Sequence, residues 1–179
     1  MTDAPVRRFQ IRYSIQRWED GKWFYGGFLI ILVGLTIFKI IRHEEIASVI
    51  PVLVVDGVVV LGLYLLRLVS YVDIAPDGLR IRYVFRQMAV PYTALSRVRR
   101  QALGVAFQPA ERRRFVNRFV RRLAKEPAAY LRLDRRQPEV LAEAEKRLGP
   151  RLVAGPDIVI PLADVDAFIA EMKGRLHSA

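Results

Sequence analysis

Two long apolar segments constrain this chain more than any other feature. The first, residues 23–41, is uncharged as far as Phe38, and the second, residues 47–66, contains a single charge at Asp56. At about 1.5 Å per residue, helices of these lengths match the roughly 30 Å hydrocarbon core of a bilayer. Neither segment has the polar stripe of a helix that packs on a soluble core. The sequence therefore predicts two membrane-spanning helices, and the alternative is a hairpin buried inside a soluble protein.

The loop between the two segments determines how they are arranged. Only five residues separate them, so the helices are predicted to form an antiparallel hairpin. Residues 1–22 are predicted to be a basic cytoplasmic tail, and further arginines follow the second segment, whereas the loop contains Arg42 alone. Loops rich in Lys and Arg stay in the cytoplasm, so both termini are expected there. The sequence accordingly predicts a multi-pass protein of the cell inner (cytoplasmic) membrane.

Asp56 is the one charged side chain deep inside a predicted span. An aspartate at the centre of a membrane costs about 2.5–3.5 kcal/mol on insertion scales. Asp56 is therefore expected to form a polar interface with another helix, near Thr36 of the first segment or near Asp56 of a second chain in a homo-oligomer. A packing role and a transport or relay role both remain open for this residue.

Residues 71–179 differ in composition from the apolar segments, with 21 basic side chains against 12 acidic ones. Alternation over residues 79–85 predicts a half-buried strand after a tight turn at residues 75–78. Helices are predicted at residues 138–148 and 164–176 from their capping residues and periodicity. The core face of the predicted strand is formed by Leu79, Ile81, Tyr83 and Phe85, opposite Arg80, Arg82 and Val84. This region is therefore predicted to be a cytoplasmic α+β domain.

Three motifs of this region resemble the bacterial pleckstrin-homology-like domain. They are APDGLRIRY (Ala75–Tyr83), VPYTALSRV (Val90–Val98) and IVIPLADVDAFIAEMK (Ile158–Lys173). The resemblance implies a strongly bent, seven-stranded antiparallel sheet, or partial barrel, that is capped by the C-terminal helix. One or two membrane spans often precede the domain in such proteins. The chain departs from the pattern at residues 105–127 and 137–150, which are predicted to be helical insertions.

A basic signature flanks the first hairpin loop in the eukaryotic relatives of that domain. It is not matched in this chain, because Arg80 and Arg82 follow a loop that contains Asp77.

An arginine-rich stretch is the main candidate for a binding surface. Residues 97–125 contain ten Lys and Arg side chains, and Glu111 is the only acidic residue among them. Apolar residues within the stretch fall on one helical face, so the helix can lie in a membrane interface with its cations toward the headgroups. Alternatively, that face packs on the domain and the arginines are solvated. The apolar face consists of Phe115, Val116, Phe119, Val120 and Leu123. The residues predicted to bind anionic headgroups are Arg112, Arg113, Arg114, Arg118, Arg121 and Arg122.

The sequence offers little for catalysis. It contains no cysteine, which excludes thiolate metal sites and cysteine nucleophiles, and it has no HExxH, GxSxG, GxGxxG or P-loop pattern. We therefore expect a non-catalytic binding or scaffold module without a cofactor, whose partners are the anionic phospholipid membrane and a protein. Nucleic acid is an unlikely partner because no recognised nucleic-acid-binding motif is present. The alternatives are a membrane-bound enzyme acting on a phosphorylated lipid and an accessory subunit of a larger membrane complex.

Overall fold

The computed structural model describes residues 7–107, 122–134 and 136–178. The chain divides into two compact units, a helical unit of residues 14–68 and a sheet body formed by the residues up to Tyr13 and from Val69 onward. The helical unit contains most of α1 (Arg12–Ile41) and all of α2 (Ile50–Leu68). Both helices are long and apolar enough to cross a membrane.

Within the described residues, the sheet body contains two four-stranded antiparallel sheets, three α-helices and a short 3-10 helix at Tyr92–Ala94. The first sheet has β1 (Arg7–Gln10), β2 (Tyr71–Ala75), β3 (Gly78–Tyr83) and β4 (Arg86–Pro91), in that order. The second sheet has β5 (Leu95–Ala102), β6 (Pro127–Leu133), β7 (Val153–Ala154) and β8 (Asp157–Ile160), in the order β5-β6-β8-β7. The helices are α3 (Leu103–Ala106), α4 (Pro138–Leu148) and α5 (Val165–Ser178). The predicted α+β class is thereby confirmed.

One apolar core joins both sheets to the C-terminal helix α5. The ring of Phe168 from α5 packs edge-on against Phe9 of β1, with 5.3 Å between the ring centroids. Leu95 and Val98 of β5 are also buried in this core. Burying an apolar side chain of this size contributes about 1.5–3 kcal/mol relative to leaving it exposed, so α5 is held by its inward face.

Local signals explain where α4 and α5 begin and end. α4 starts at Pro138, which is favoured in a first helical turn, and stops before Gly149, whose φ of 74° few other residues adopt readily. Before α5, Asp164 Oδ1 accepts a 3.0 Å hydrogen bond from the backbone N–H of Ala167. This N-cap satisfies a donor that the helix itself leaves unpaired. The helices predicted at residues 138–148 and 164–176 are confirmed.

The N-terminal region differs from the tail that was predicted for residues 1–22. Residues 7–10 form β1, which pairs antiparallel with β2, and α1 already begins at Arg12. Phe9 and Ile11 are buried in the core of the sheet body. Phe9 and Ile11 alone are too few apolar residues to predict a strand from alternation. The strand instead depends on pairing with β2, which lies about sixty residues further along the chain.

The hairpin between β3 and β4 also differs from the sequence prediction. β3 ends at Tyr83, and the chain reverses at Val84 and Phe85. Phe85 is 94% exposed, so its predicted place on the core face is wrong. Val84 has a φ of 59°, a strained conformation for a β-branched residue, and its N–H donates to Ser70 Oγ at 3.2 Å. The turn, which alternation does not reveal, carries Phe85 away from the core.

Replacing Gly78 with Ala is expected to destabilise the first sheet. Gly78 has a φ of 156°, and a Cβ at this position would lie 2.4 Å from the Val90 carbonyl oxygen of β4. Such an incompatible substitution costs more than about 1 kcal/mol. Hydrogen–deuterium exchange of the full chain should show faster exchange of the β3 and β4 amides.

The matched control is Gly174→Ala in α5, where an added Cβ meets no described atom within 4 Å apart from the backbone of its own helix. Alanine is favoured over glycine in a helix by about 0.5–1 kcal/mol, so this variant should exchange no faster than the wild type. Equal exchange in the two variants would contradict the close approach of β3 and β4.

Candidate functional site

The outward face of the first sheet gathers polar side chains in two cross-strand rows. Strand pairing places Arg8, Asp73, Arg80 and Ala89 side by side, and Gln10, Tyr71, Arg82 and Gln87 in the neighbouring row. The residues between them in sequence point into the core, since successive strand residues face opposite sides. One alternating pattern therefore builds both the core and the charged outer surface.

A cavity of about 400 Å³ opens on this outer face. We call it the arginine pocket. Three strands contribute to its wall, and Arg147 is added by α4, which packs beside β4. Its polar lining consists of Tyr71, Asp73, Arg80, Arg82, Gln87 and Arg147.

Among the described residues, Asp73 is the one carboxylate that lines the arginine pocket, and it already accepts hydrogen bonds. Arg8 donates to it twice, from Nε to Oδ1 at 3.0 Å and from Nη2 to Oδ2 at 3.3 Å. These hydrogen bonds raise the pKa of the Arg8 guanidinium above its ordinary value. The Arg8 guanidinium also lies over the Tyr71 ring, 3.8 Å from its centroid. The charge of Asp73 is thus balanced by a cation at the edge of the pocket.

Among the described residues, two of the arginines in the pocket lining pair with exposed carboxylates, and Arg82 pairs with none. Arg80 Nη2 lies 3.3 Å from Asp77 Oδ2, and Arg147 Nη2 lies 2.8 Å from Glu143 Oε1. Both carboxylates are exposed side chains near in sequence, and surface pairs of this kind contribute only about 0–1 kcal/mol. Arg82 Nη1 donates to the Tyr71 hydroxyl at 3.3 Å.

The six arginines predicted to bind headgroups fall mostly outside the described part of the chain. Arg112, Arg113, Arg114, Arg118 and Arg121 lie outside the described residues, and Arg122 is exposed. Leu123, the last residue of the predicted apolar face, is buried in the core of the sheet body. The apolar face therefore packs on the domain at its C-terminal end, which agrees with the alternative in which this face is turned toward the domain.

Asp56 is buried within the helical unit and is only 6% exposed. Its Oδ2 atom has no hydrogen-bond partner among the described residues. Because the side chain is buried in a single chain, contact with Asp56 of a second chain is not required to shield it. The burial is compatible with a packing role, although one oxygen is left unpaired at a cost of about 1–3 kcal/mol.

The register between α1 and α2 does not place Asp56 beside Thr36, which was one of the two expected neighbours. Gly21 of α1 packs beside Leu63 of α2. In antiparallel helices, seven residues forward from Gly21 and seven back from Leu63 reach the same height, so Asp56 lies at about the level of residues 28 and 29 of α1. Thr36 lies about two turns further along α1. The Thr36 hydroxyl instead donates to the carbonyl of Leu32 in its own helix at 2.8 Å.

A second polar cluster supports the other sheet. Asp157 of β8 is buried, and its Oδ2 accepts a 3.0 Å hydrogen bond from Arg99 Nη2 of β5. Tyr130 of β6 donates its hydroxyl proton to the Ala102 carbonyl at 2.7 Å and accepts from the Ala106 N–H at 3.1 Å. These bonds tie β6 to the end of β5 and to α3, which indicates a structural role. Within the described residues, no group of three metal-ligating side chains comes together.

Sequence reasoning placed Arg80 and Arg82 on the solvent side of a strand but did not identify the arginine pocket. Two arginines at positions i and i+2 are a usable signal, because such residues share one face of a strand. Arg147 could not have been found in this way, since it reaches the same cavity from a helix 65 residues further along.

Comparisons of the chain with protein-family models, with curated proteins and with solved structures found no match. The fold and site define an α+β protein that has two helices capable of crossing a membrane and an arginine-lined cavity on its first sheet.

Alkaline pH is expected to destabilise the sheet body. Burial raises the pKa of both Tyr130 and Tyr92 above the ordinary value. The unfolded chain loses these protons near pH 10, whereas the folded chain retains them to higher pH. Stability is therefore fully present below about pH 10 and falls as the pH rises above it.

Ultraviolet titration of the full chain, with circular dichroism on the same samples, measures this effect. Tyr130 and Tyr92 should titrate late and together with the loss of structure. Reversible titration of all tyrosines near pH 10, with the circular dichroism unchanged, would be the contrary result.

Proposed function

We propose that the protein is a membrane-anchored binding module. In this proposal α1 and α2 cross the cytoplasmic membrane as an antiparallel hairpin, and the sheet body contacts anionic lipid or a protein partner at the cytoplasmic face. The distribution of exposed apolar side chains carries the proposal. Among the described residues, the large apolar side chains that are exposed all lie in α1 and α2, except Phe85 and Val105.

The exposure of the two helices argues against a soluble core hairpin. Only 6% of the residues in each apolar stretch are buried, whereas a core helix would be mostly buried. An apolar surface of this extent is unfavourable in water, and a lipid bilayer would cover it. The charged residues of α1 lie mainly in its first eleven positions, Arg12 to Lys22, so the apolar part begins at Trp23.

Charge supports the proposed orientation and the proposed contact with lipid. The loop between the helices is poor in Lys and Arg, and the sheet body is rich in them, which favours a cytoplasmic body. Each cation close to an anionic leaflet contributes about 1 kcal/mol to membrane binding. A tethered body meets that surface at high effective concentration, so weak contacts suffice. The exposed ring of Phe85 adds an apolar group that suits a membrane interface.

We further assign the sheet body to the bacterial pleckstrin-homology-like domains. Within its described residues, the segment 71–179 contains seven strands followed by α5, which is the number that the resemblance implies. The turn at Pro76 and Asp77 and the capped terminal helix fall within the three motifs that carry the resemblance.

The second candidate is an enzyme acting on a phosphorylated lipid, and the arginine pocket is the observation that favours it. The pocket combines three arginines with a carboxylate. However, that carboxylate belongs to Asp73 and is held by two hydrogen bonds from Arg8, which leaves it poorly placed to act as a base. Binding is therefore the function that the geometry supports better.

The anchoring and the lipid contact can be tested on the full chain. A fragment that starts at residue 71 would lack β1, whose Phe9 belongs to the core, so the full chain is the suitable sample. Tags at both termini should be accessible to protease in inverted membrane vesicles and protected in intact cells. In nanodiscs, amides of the sheet body should exchange more slowly with phosphatidylglycerol than with phosphatidylcholine alone.

High salt provides the control for that experiment. The protection should disappear when the ionic strength reaches about 1 M, where the Debye length falls to roughly 3 Å. The variant with glutamine at Arg112, Arg113, Arg114, Arg118, Arg121 and Arg122 should also lose protection. Tags on opposite faces of the membrane would refute the proposed anchoring, and identical exchange in both lipids would refute the contact with anionic lipid.

Replacing Asp56 with Leu is expected to improve insertion of α2. The substitution removes an aspartate from the middle of the proposed span, which lowers the insertion free energy by about 3 kcal/mol. A glycosylation-mapping assay should report a larger inserted fraction. Val58→Leu, at an exposed position of the same helix, is the control and should leave insertion unchanged. Unchanged insertion of Asp56→Leu would show that α2 does not enter the bilayer at this depth.

A further inference from the structure

We propose that the arginine pocket binds a phosphate group, which is carried either by a lipid headgroup or by a small soluble phosphomonoester. The proposal deepens the binding function above, and only its lipid form rests on that function. The pocket is distinct from the six arginines that the sequence singled out, and it lies on the outward face of the first sheet.

The first argument is geometric. Arg80 and Arg82 are two residues apart on β3, so their side chains leave the same face at a spacing of about 6.6 Å. Arg147 approaches from α4 and lines the same cavity. Guanidinium groups from two directions are thereby brought around one space. Planar guanidinium forks match the oxygens of phosphate, which they bind with two parallel hydrogen bonds.

The second argument is the charge balance of the pocket. Of the residues that the structure describes, three arginines and one carboxylate line it, and that carboxylate, Asp73, already accepts two hydrogen bonds from Arg8. In the described part of the chain, no carboxylate forms an ion pair with Arg82, whose one hydrogen bond to a side chain goes to the Tyr71 hydroxyl. The pocket therefore holds excess positive charge and unused N–H donors, which an anion would satisfy.

The neutral side chains of the pocket favour the same class of ligand. The Tyr71 hydroxyl accepts from Arg82 and retains its own proton to donate. The Gln87 amide lines the cavity beside it and offers two N–H donors. Together with the arginines, these groups form a surface of donors for an acceptor-rich phosphate.

The third argument is space. A volume of about 400 Å³ lies within the roughly 300–1,000 Å³ range of ligand pockets, and it exceeds what a single water needs. The opening to solvent allows a phosphate that is attached to a longer chain. Ala89 stands opposite Arg80 in the strand register, and its small side chain leaves the space open. A larger residue at this position would fill the pocket without changing its charge.

Calorimetric titration of the full chain tests the proposal. The protein is held in phosphatidylcholine nanodiscs at constant ionic strength and titrated with inorganic phosphate and with sn-glycerol 3-phosphate. A second arm measures lateral binding in nanodiscs that contain phosphatidic acid, by the protection of pocket amides from hydrogen exchange. Binding in the first arm identifies a soluble phosphate as sufficient, and protection in the second arm alone identifies the lipid as the source. Either result supports the pocket.

Three variants make the test specific. Arg82→Gln should weaken binding by about tenfold or more, because a hydrogen bond to a charged group is lost. Ala89→Phe should weaken binding by a similar factor, because the ring fills the pocket while the charge stays constant. Agreement between the two variants would exclude a folding defect of Arg82→Gln as the cause. Arg97→Gln removes the same charge from an exposed site on β5, outside the pocket, and should change the affinity by less than about twofold.

Two results would overturn the proposal. One is the absence of binding in both arms. The other is equal weakening by Arg82→Gln and Arg97→Gln with no effect of Ala89→Phe, which would mean diffuse attraction to the basic surface. That second result would leave the anchored binding module intact, so a failure of the pocket and a failure of the proposed function are distinguishable.

Discussion

The pairing of β1 with β2 is the interaction on which the organisation of the chain depends. β1 precedes α1 and β2 follows α2, so the helical hairpin is inserted between two neighbouring strands of one sheet. The backbone N–H of Ile11 donates to the Ser70 carbonyl at 3.2 Å and extends the pairing to the residues that flank the helices. The chain therefore leaves the sheet body after β1 and re-enters it at β2, the strand with which β1 is paired. The sheet body is consequently interrupted by the hairpin and is not simply appended to its end.

The same period-two alternation that packs the core also supplies the candidate ligand site. On β3, Leu79 and Ile81 are buried while Arg80 and Arg82 face outward, and cross-strand neighbours extend this division over the sheet. Core packing holds the strands in register, so the strand backbone, and not their own ion pairs, determines where the outward arginines lie. Their surface ion pairs are weak enough to exchange for a bound anion. Stability and binding are therefore served by opposite faces of one element.

Local patterns predicted a large part of this architecture. The apolar spans, the turn at residues 75–78, and both α4 and α5 follow from hydrophobic period, Pro and Gly placement and capping residues, which act within a few residues of each other. The failures have a common cause as well. β1 needed a partner about sixty residues away, and the exposure of Phe85 depended on a chain reversal held by Ser70. The register between α1 and α2 likewise depends on side-chain packing, which no single helix contains.

The sequence by itself determined the two apolar helices, the α+β class of the remainder and the excess of positive charge. These properties follow from composition and from short-range periodicity, neither of which depends on contacts between distant residues. Only the tertiary structure decided that Phe9 belongs to the core, that Asp56 is buried within one chain, and that Arg147 joins Arg80 and Arg82 around a cavity. These outcomes depend on which strands and helices become neighbours. That choice is made by the burial of apolar surface over the whole chain, because no local segment buries enough on its own.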